Sequence, residues 1–148
     1  MLLSFYTETM TGKEFAARMI DESGYQFMAC LAGVSEEGFV SKPFGDMMSI
    51  RETLEHHTEC CIAVQKDFAN QSFEWGTFKF PEGTVAELVA LFEAERTKTV
   101  ALALDNFDDK PQYSKDYLIA HEFYHVGQMC AVRIALNDGF EPYSIYRF

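Results

Sequence analysis

Clusters of basic residues are missing from this sequence of 148 residues. The chain has 12 lysines and arginines against 23 aspartates and glutamates, which gives a formal net charge of −11. Phosphate backbones and anionic lipid headgroups would be repelled by so acidic a surface. The composition therefore predicts a protein that binds neither nucleic acid nor membranes.

Long apolar runs are missing as well. The longest, FMACLAGV at 27–34, is far shorter than the roughly 20 residues that a helix needs to cross a bilayer. The first ten residues, MLLSFYTETM, lack the cationic head and the small-residue cleavage site of a signal peptide. We expect a soluble, cytoplasmic protein.

Cysteine is scarce, and the CxxC spacing does not occur. Cys30, Cys60, Cys61 and Cys130 lie in segments whose pattern is helical and apolar, without the loop-rich spacing of a disulfide scaffold. In a cytosolic chain such cysteines are usually small, reduced, buried side chains. We expect that role for all four.

Large apolar side chains are abundant, since 48% of the residues are hydrophobic and 15% are aromatic. A chain of this length buries roughly two thirds of the surface that its unfolded form exposes. No repeat, low-complexity tract or linker divides it. The sequence predicts a single domain over residues 1–148.

Three helix starts are marked by capping boxes, in which a hydroxyl and a carboxylate three residues later satisfy the free amides of a first turn. The boxes are TGKE at 11–14, SIRE at 49–52 and TVAE at 84–87. Apolar residues recur behind each box with a 3.6-residue period, which predicts helices over about 12–31, 50–70 and 85–105. A fourth follows Pro111 and ends near Asn137, where Asn-Asp-Gly is a typical stop.

Four helices of some 20 residues, each about 30 Å long, match an all-α four-helix bundle. Strand signals are weak by comparison. The single candidate is SFEWGTFKF at 72–80, between the second and third predicted helices, which we expect to be a short extended segment covering one end of the bundle.

Polar side chains interrupt the core-facing seam of the fourth predicted helix. Steps of three and four residues connect Leu118, His121, His125, Gln128, Val132 and Ala135. At about 100° per residue, His121 and His125 differ by only about 40° around the axis, so both imidazoles can reach one point. Burying either one without a partner would cost on the order of 1–3 kcal/mol. Something must satisfy them.

The second predicted helix carries the other two histidines of the chain, His56 and His57, at its middle. Its strictest apolar seam runs through Ile50, Leu54, His57, Cys61, Val64 and Phe68. Neutral imidazole is a preferred ligand of zinc, nickel and iron. A divalent metal held by one or two histidines of this pair and by His121 and His125 would explain why all four lie in two helical midsections.

HEFYH at 121–125 is a literal HExxH, the pattern of zinc metalloproteases, in which the glutamate acts as general base. Such sites take a third ligand further along the chain. Here the remaining histidines lie upstream and little chain follows the motif. We therefore do not interpret Glu122 as a protease base.

With both histidine regions in view, the sequence resembles the DinB/YfiT-like superfamily of four-helix-bundle metalloenzymes. SIRETLEHH at 49–57 is similar to the family's Ser-Ile helix start followed by a histidine, and HEFYHVGQ at 121–128 to its H-x3-H-x-G-Q. The resemblance covers almost the whole chain. It implies the metal ligands His56, His121 and His125, although the seam argument favours His57.

We follow the motif register and keep His57 as an outer or substitute ligand, because an apolar stripe wider than 100° leaves room for a ligand at its margin. Gln128 is predicted to hydrogen-bond a ligand or a bound water, or else a neighbouring helix. Gly127 is predicted to allow the close approach of another helix. Glu52 and Glu59 could serve as bases, but exposed surface carboxylates are the preferred interpretation.

The resemblance implies a divalent metal, zinc first, with nickel, iron or manganese as alternatives. It also implies a small-molecule substrate, activation of a water or a low-molecular-weight thiol in S-transferase-like or hydrolase-like chemistry, and a homodimer. Two alternatives stay open. Cys60 could join His56 and close a structural zinc site, or the bundle could be a metal-free binding module whose histidines satisfy one another and Gln128.

Overall fold

The computed structural model describes residues 9–147, and these are all-helical with no strand. The helices are α1 (Gly12–Leu31), α2 (Glu36–Val40), α3 (Ile50–Phe68), α4 (Val85–Asp105) and α5 (His121–Leu136), with a π-helical segment at Tyr113–Ala120 and a 3₁₀ turn at Pro142–Ile145. Most of the segment on which the signal-peptide prediction rests lies outside the described residues. Within 9–147, no helix combines the length and apolar character that spanning a membrane requires.

All three predicted capping boxes are formed. At the start of α1, the Glu14 amide donates to the Thr11 hydroxyl at 3.2 Å, and the Thr11 amide donates to the Glu14 carboxylate at 2.7 Å. The same reciprocal pair begins α3 and α4. Each cap stabilises its helix by roughly 0.5–2 kcal/mol, which explains why the predicted starts are correct to the residue.

The four long helices α1, α3, α4 and α5 pack around a common apolar core. Phe27 of α1, Leu54 of α3, Phe92 of α4 and Met129 of α5 are all buried within one cluster. Full burial of each such side chain stabilises the fold by roughly 1.5–3 kcal/mol. Four predicted long helices are confirmed, while the short helix α2 and the 3₁₀ turn had no clear sequence signal.

The helix that carries HEFYH is not α-helical throughout. After an α-helical start at residues 111–112, Tyr113–Ala120 are π-helical and continue without a break into α5 at His121. Each turn there closes i→i+5 hydrogen bonds and takes one residue more than an α-turn; π-turns occur frequently at functional sites. α5 ends at Leu136, and Asn137 adopts the left-handed conformation with φ of 51°, as the Asn-Asp-Gly stop predicts.

Residues 72–80 form no strand and are instead bound along α3 by two glutamates. The Glu59 carboxylate accepts the Gly76 amide at 2.6 Å, and that of Glu55 accepts the Phe80 amide at 2.8 Å. Gly76 has a φ of +80°, which is strained for other residues. The segment is therefore irregular, and its shape is fixed by side chains of the helix that carries His56.

Candidate metal centre

Three of the four histidines come together between α3 and α5. The Nε2 atoms of His56 and His121 lie 3.2 Å apart, and those of His121 and His125 lie 2.8 Å apart. His56 and His121 are half-buried, whereas His125 is buried. The two helices thus place the predicted histidines around one point near the surface of the core.

Cys60, one turn after His56 on α3, belongs to the same cluster. Its Sγ lies 3.8 Å from His56 Nε2, and donor atoms of His56, Cys60 and His121 all lie within 4.8 Å of one another. These three residues could hold a metal ion.

Two of the separations between these donors are close to those of a tetrahedral metal site. With a metal–nitrogen bond of about 2.1 Å and a metal–sulfur bond of about 2.3 Å, tetrahedral angles place two nitrogens about 3.4 Å apart and a nitrogen and a sulfur about 3.6 Å apart. The His56–His121 and His56–Cys60 distances, 3.2 and 3.8 Å, are close to both values. The 2.8 Å between His121 and His125 is instead a hydrogen-bond length.

Gln128 determines the protonation of His125. Its Oε1 lies 2.7 Å from His125 Nδ1, and its Nε2 donates to the Tyr124 hydroxyl at 3.0 Å. Because an amide oxygen can only accept, His125 Nδ1 carries the proton and Nε2 keeps its lone pair toward His121. Outer residues orient metal-ligating histidines in this way. Gln128 thus contacts the predicted ligand His125, and the role of His125 as a ligand stays a prediction.

His57 lies in the core rather than in the cluster. Its ring is fully buried, stacks on Phe92 at a centroid distance of 5.7 Å and meets His121 edge-on at 4.7 Å. Among residues 9–147, neither ring nitrogen of His57 has a hydrogen-bond partner; the Glu122 carboxylate is 3.4 Å from its Nε2. The apolar seam of α3 thus predicts the buried position of His57 correctly. The motif register selects His56, whose Nε2 lies 3.2 Å from His121 Nε2.

Glu122 is held away from the cluster by a buried charge pair. It is fully buried, and the Arg96 guanidinium of α4 donates to its two carboxylate oxygens at 2.5 and 2.9 Å. Ser23 of α1 donates to it at 2.5 Å. These partners engage both carboxylate oxygens of Glu122, in keeping with the prediction that it does not serve as a protease base.

Burial and the charge pair set the protonation of these groups. Burial, together with the other histidines, lowers the pKa of His121 to about 3 and that of His125 to about 4, and it also lowers the pKa of His56. Burial alone would raise the pKa of Glu122, but His57 and Arg96 hold it at about 2. At neutral pH the clustered imidazoles are therefore neutral, which is the form that binds metals.

A cavity of about 450 Å³ opens onto the cluster. Its lining includes His56, Cys60 and His121 of the cluster together with Trp75, Asp116 and Tyr117. The π-helical segment supplies Asp116 and Tyr117, and the segment bound by Glu59 supplies Trp75. A small molecule in this cavity would reach the donor atoms of His56 and His121.

Several residues differ from their predicted environments. A second buried stripe on α5 consists of Glu122, Val126, Met129 and Arg133. The hydropathy pattern does not predict it, because its first and last residues are charged. Ala135, predicted on the core seam, is exposed, because the buried face of the last turns lies at Val132 and Arg133.

Two further predictions need correction. Gly127 does not admit another helix: it is exposed, and a Cβ built there would meet nothing within 4 Å among the described residues. Glu59 is not a surface carboxylate but is 8% exposed, because it accepts the amides of the 72–80 segment. Glu52 is exposed, as expected.

Comparison with family models, curated proteins and solved structures finds no match to this chain. The DinB/YfiT-like resemblance thus remains a prediction from the two histidine motifs.

Proposed function

We propose that the protein is a metal-dependent enzyme of the DinB/YfiT-like type, in which His56, His121 and His125 hold a divalent cation, zinc first. The observation that carries the proposal is the position of the cluster. Two of its imidazoles form the wall of an open cavity of about 450 Å³, and structural zinc sites are closed, whereas catalytic ones keep a position open.

The residues of the chain fit this cation in charge and in orientation. The depressed pKa values keep the imidazoles unprotonated at neutral pH, and Gln128 directs the lone pair of His125 Nε2 toward His121. α5 supplies two donors one turn apart, and α3 supplies the third. Binding the cation therefore needs no large movement of the backbone.

A bound divalent cation would act as a Lewis acid that lowers the pKa of a water or a thiol joining its coordination shell. The cavity is the size of a small-molecule site, so the proposed substrate is a small molecule, with a low-molecular-weight thiol as one candidate. Asp116 is the carboxylate that lines the cavity; it is half-exposed and forms an ion pair with Lys115 at 3.5 Å.

Metal content tests the proposal directly. Protein purified without a histidine tag or a nickel column is expected to contain about one equivalent of a divalent metal by mass spectrometry of the elements. His121→Ala should lose it, because that residue is common to every donor set. Gln128→Ala should retain it with roughly 10- to 100-fold weaker affinity. Wild-type protein that takes up no zinc at micromolar concentration would refute the proposal.

A structural zinc site is the second candidate, and Cys60 favours it. Its Sγ is within 3.8 Å of His56 Nε2, so Cys60 and His125 together could complete a closed tetrahedral shell. Burial raises the pKa of the Cys60 thiol to about 12, and only the metal would ionise it.

X-ray absorption at the zinc edge separates the two candidates. The enzyme requires nitrogen and oxygen neighbours at about 2.0–2.1 Å, whereas the structural site requires one sulfur at about 2.3 Å. Cys60→Ser should leave zinc affinity nearly unchanged in the first case and weaken it strongly in the second. Cys61→Ser is the matched control, since Cys61 is buried beside Cys60 but is not among the clustered donors.

The remaining expectations about partners are checked in solution. A homodimer would show in sedimentation at twice the mass of 16.9 kDa. Binding to duplex DNA should be undetectable at physiological salt, because the net charge is −11.

A further inference from the structure

An exposed tryptophan lines the same cavity as the histidine cluster. Trp75 is 54% exposed and lines the cavity together with Tyr117. Both rings also line a neighbouring cavity of about 420 Å³. A large aromatic side chain exposed at a concave surface is typical of a ligand contact.

The structure fixes the position of Trp75 rather than leaving it to a free loop. The next residue, Gly76, donates its amide to buried Glu59 at 2.6 Å, and Phe73 packs edge-on against the indole at a centroid distance of 5.1 Å. Glu59 lies on α3, the helix that also carries His56 and Cys60. The backbone beside the indole is therefore tied to that helix, which reduces the entropy lost on binding.

The cavity offers little to an anionic group. Within residues 9–147, none of its lining residues is Lys or Arg, and its carboxylate is Asp116. Apart from a cation at the cluster, the aromatic rings of Trp75 and Tyr117 are the large groups that the cavity offers to a ligand.

We propose that the substrate carries a flat aromatic group that stacks on Trp75 while its reacting atom reaches the donors of His56 and His121. This inference rests on the proposed function only for the end of the substrate that reacts. Binding of the aromatic end depends on Trp75, and Tyr117 lines the same cavity. Carboxylate-rich thiols are disfavoured relative to neutral aromatic ones.

Two neutral thiols test the proposal on zinc-loaded protein. Benzyl mercaptan and 2-mercaptoethanol share the reacting group and differ in the ring. Trp75 is the sole tryptophan of the chain, so its emission reports binding in the wild type, and calorimetry measures the variants. Benzyl mercaptan should bind more tightly, and stacking alone contributes roughly 2- to 12-fold.

Variants of Trp75 locate the contact. Trp75→Ala should bind benzyl mercaptan at least 2- to 12-fold more weakly than the wild type and should bind 2-mercaptoethanol with unchanged affinity. Trp75→Phe should retain most of the affinity for benzyl mercaptan. The side chain is exposed, so circular dichroism should show both variants folded. Equal affinity for the two thiols, or an unchanged ratio in Trp75→Ala, would overturn the inference.

Benzyl alcohol, which keeps the ring and lacks the thiol, distinguishes this failure from failure of the proposed function. Its Trp75-dependent binding to EDTA-treated protein would support the aromatic site even if no metal binds. Zinc binding with no preference for the ring would support the metal site and refute the aromatic one.

Discussion

Gly24 of α1 permits the buried charge pair beneath the histidine cluster. A Cβ at this position would lie 2.3 Å from Arg96 Nη2, which donates to the Ile20 carbonyl at 2.7 Å and to Glu122 at 2.9 Å. In Gly24→Ala the guanidinium must shift, and we expect the hydrogen bonds that hold it to fully buried Glu122 to break. We expect the variant to be strongly destabilised.

The magnitude follows from two opposing effects. Breaking a buried ion pair by removing one partner costs about 3–5 kcal/mol, and replacing glycine by alanine inside a helix returns roughly 0.5–1 kcal/mol. The free energy of unfolding should therefore fall by about 2–4 kcal/mol. Urea denaturation followed by circular dichroism in EDTA measures it without a contribution from metal.

Gly127→Ala is the matched control, because Gly127 also lies inside a helix and its Cβ would enter open space. That variant should be more stable than the wild type by roughly 0.5–1 kcal/mol. In an Arg96→Ala background, Gly24→Ala should also become stabilising, since nothing is left to displace. A Gly24→Ala variant as stable as the wild type would refute the role assigned to the Arg96–Glu122 pair.

Three further predictions use the same structure. Burial lowers the pKa of His121 to about 3 from 6.5, so the unfolded chain binds more protons below pH 6.5. The free energy of unfolding of metal-free protein should fall from pH 7 to pH 5, and His121→Ala should make that dependence less steep in urea titrations. Cys130 is half-buried and its pKa is lowered by the contact with a second thiol, whereas burial raises the pKa of Cys60 to about 12. Iodoacetamide should therefore modify Cys130 first in peptide mass spectra, and equal rates would contradict this. Glu59→Ala should remove the hydrogen-exchange protection of the Gly76 amide, and exposed Glu74→Ala should leave it intact.

Local signals in the sequence predict most of the fold. Capping boxes and a 3.6-residue period depend on residues a few positions apart, so the starts of α1, α3 and α4 are correct. The four-position spacing of His121 and His125 likewise places both rings on one face without knowledge of any other helix. The contact between His56 and His121 depends on the packing of α3 against α5, so local signals do not predict it. The motif register nevertheless selects His56, whereas the apolar seam selects His57.

Long-range charge pairing accounts for what the sequence did not predict. Glu122 and Arg96 look like solvated surface residues until α1, α4 and α5 are brought together. A signal exists in hindsight: the Ser23–Gly24 step interrupts the apolar face of α1 at the place where a large side chain enters. The π-turns of 113–120 have no such marker, because the choice of i→i+5 bonds depends on packing around the helix.

The π-turns have a consequence for how this protein can change. Along one continuous helix, the residues before Ala120 advance around the axis by a smaller angle than those after His121. Deletion of one residue from the wide turns could restore an α-helix while leaving α5 in place. Tyr117 and Asp116 would then rotate relative to the histidines. An insertion or deletion in this segment would therefore change the lining of the cavity and leave the histidine donors in place.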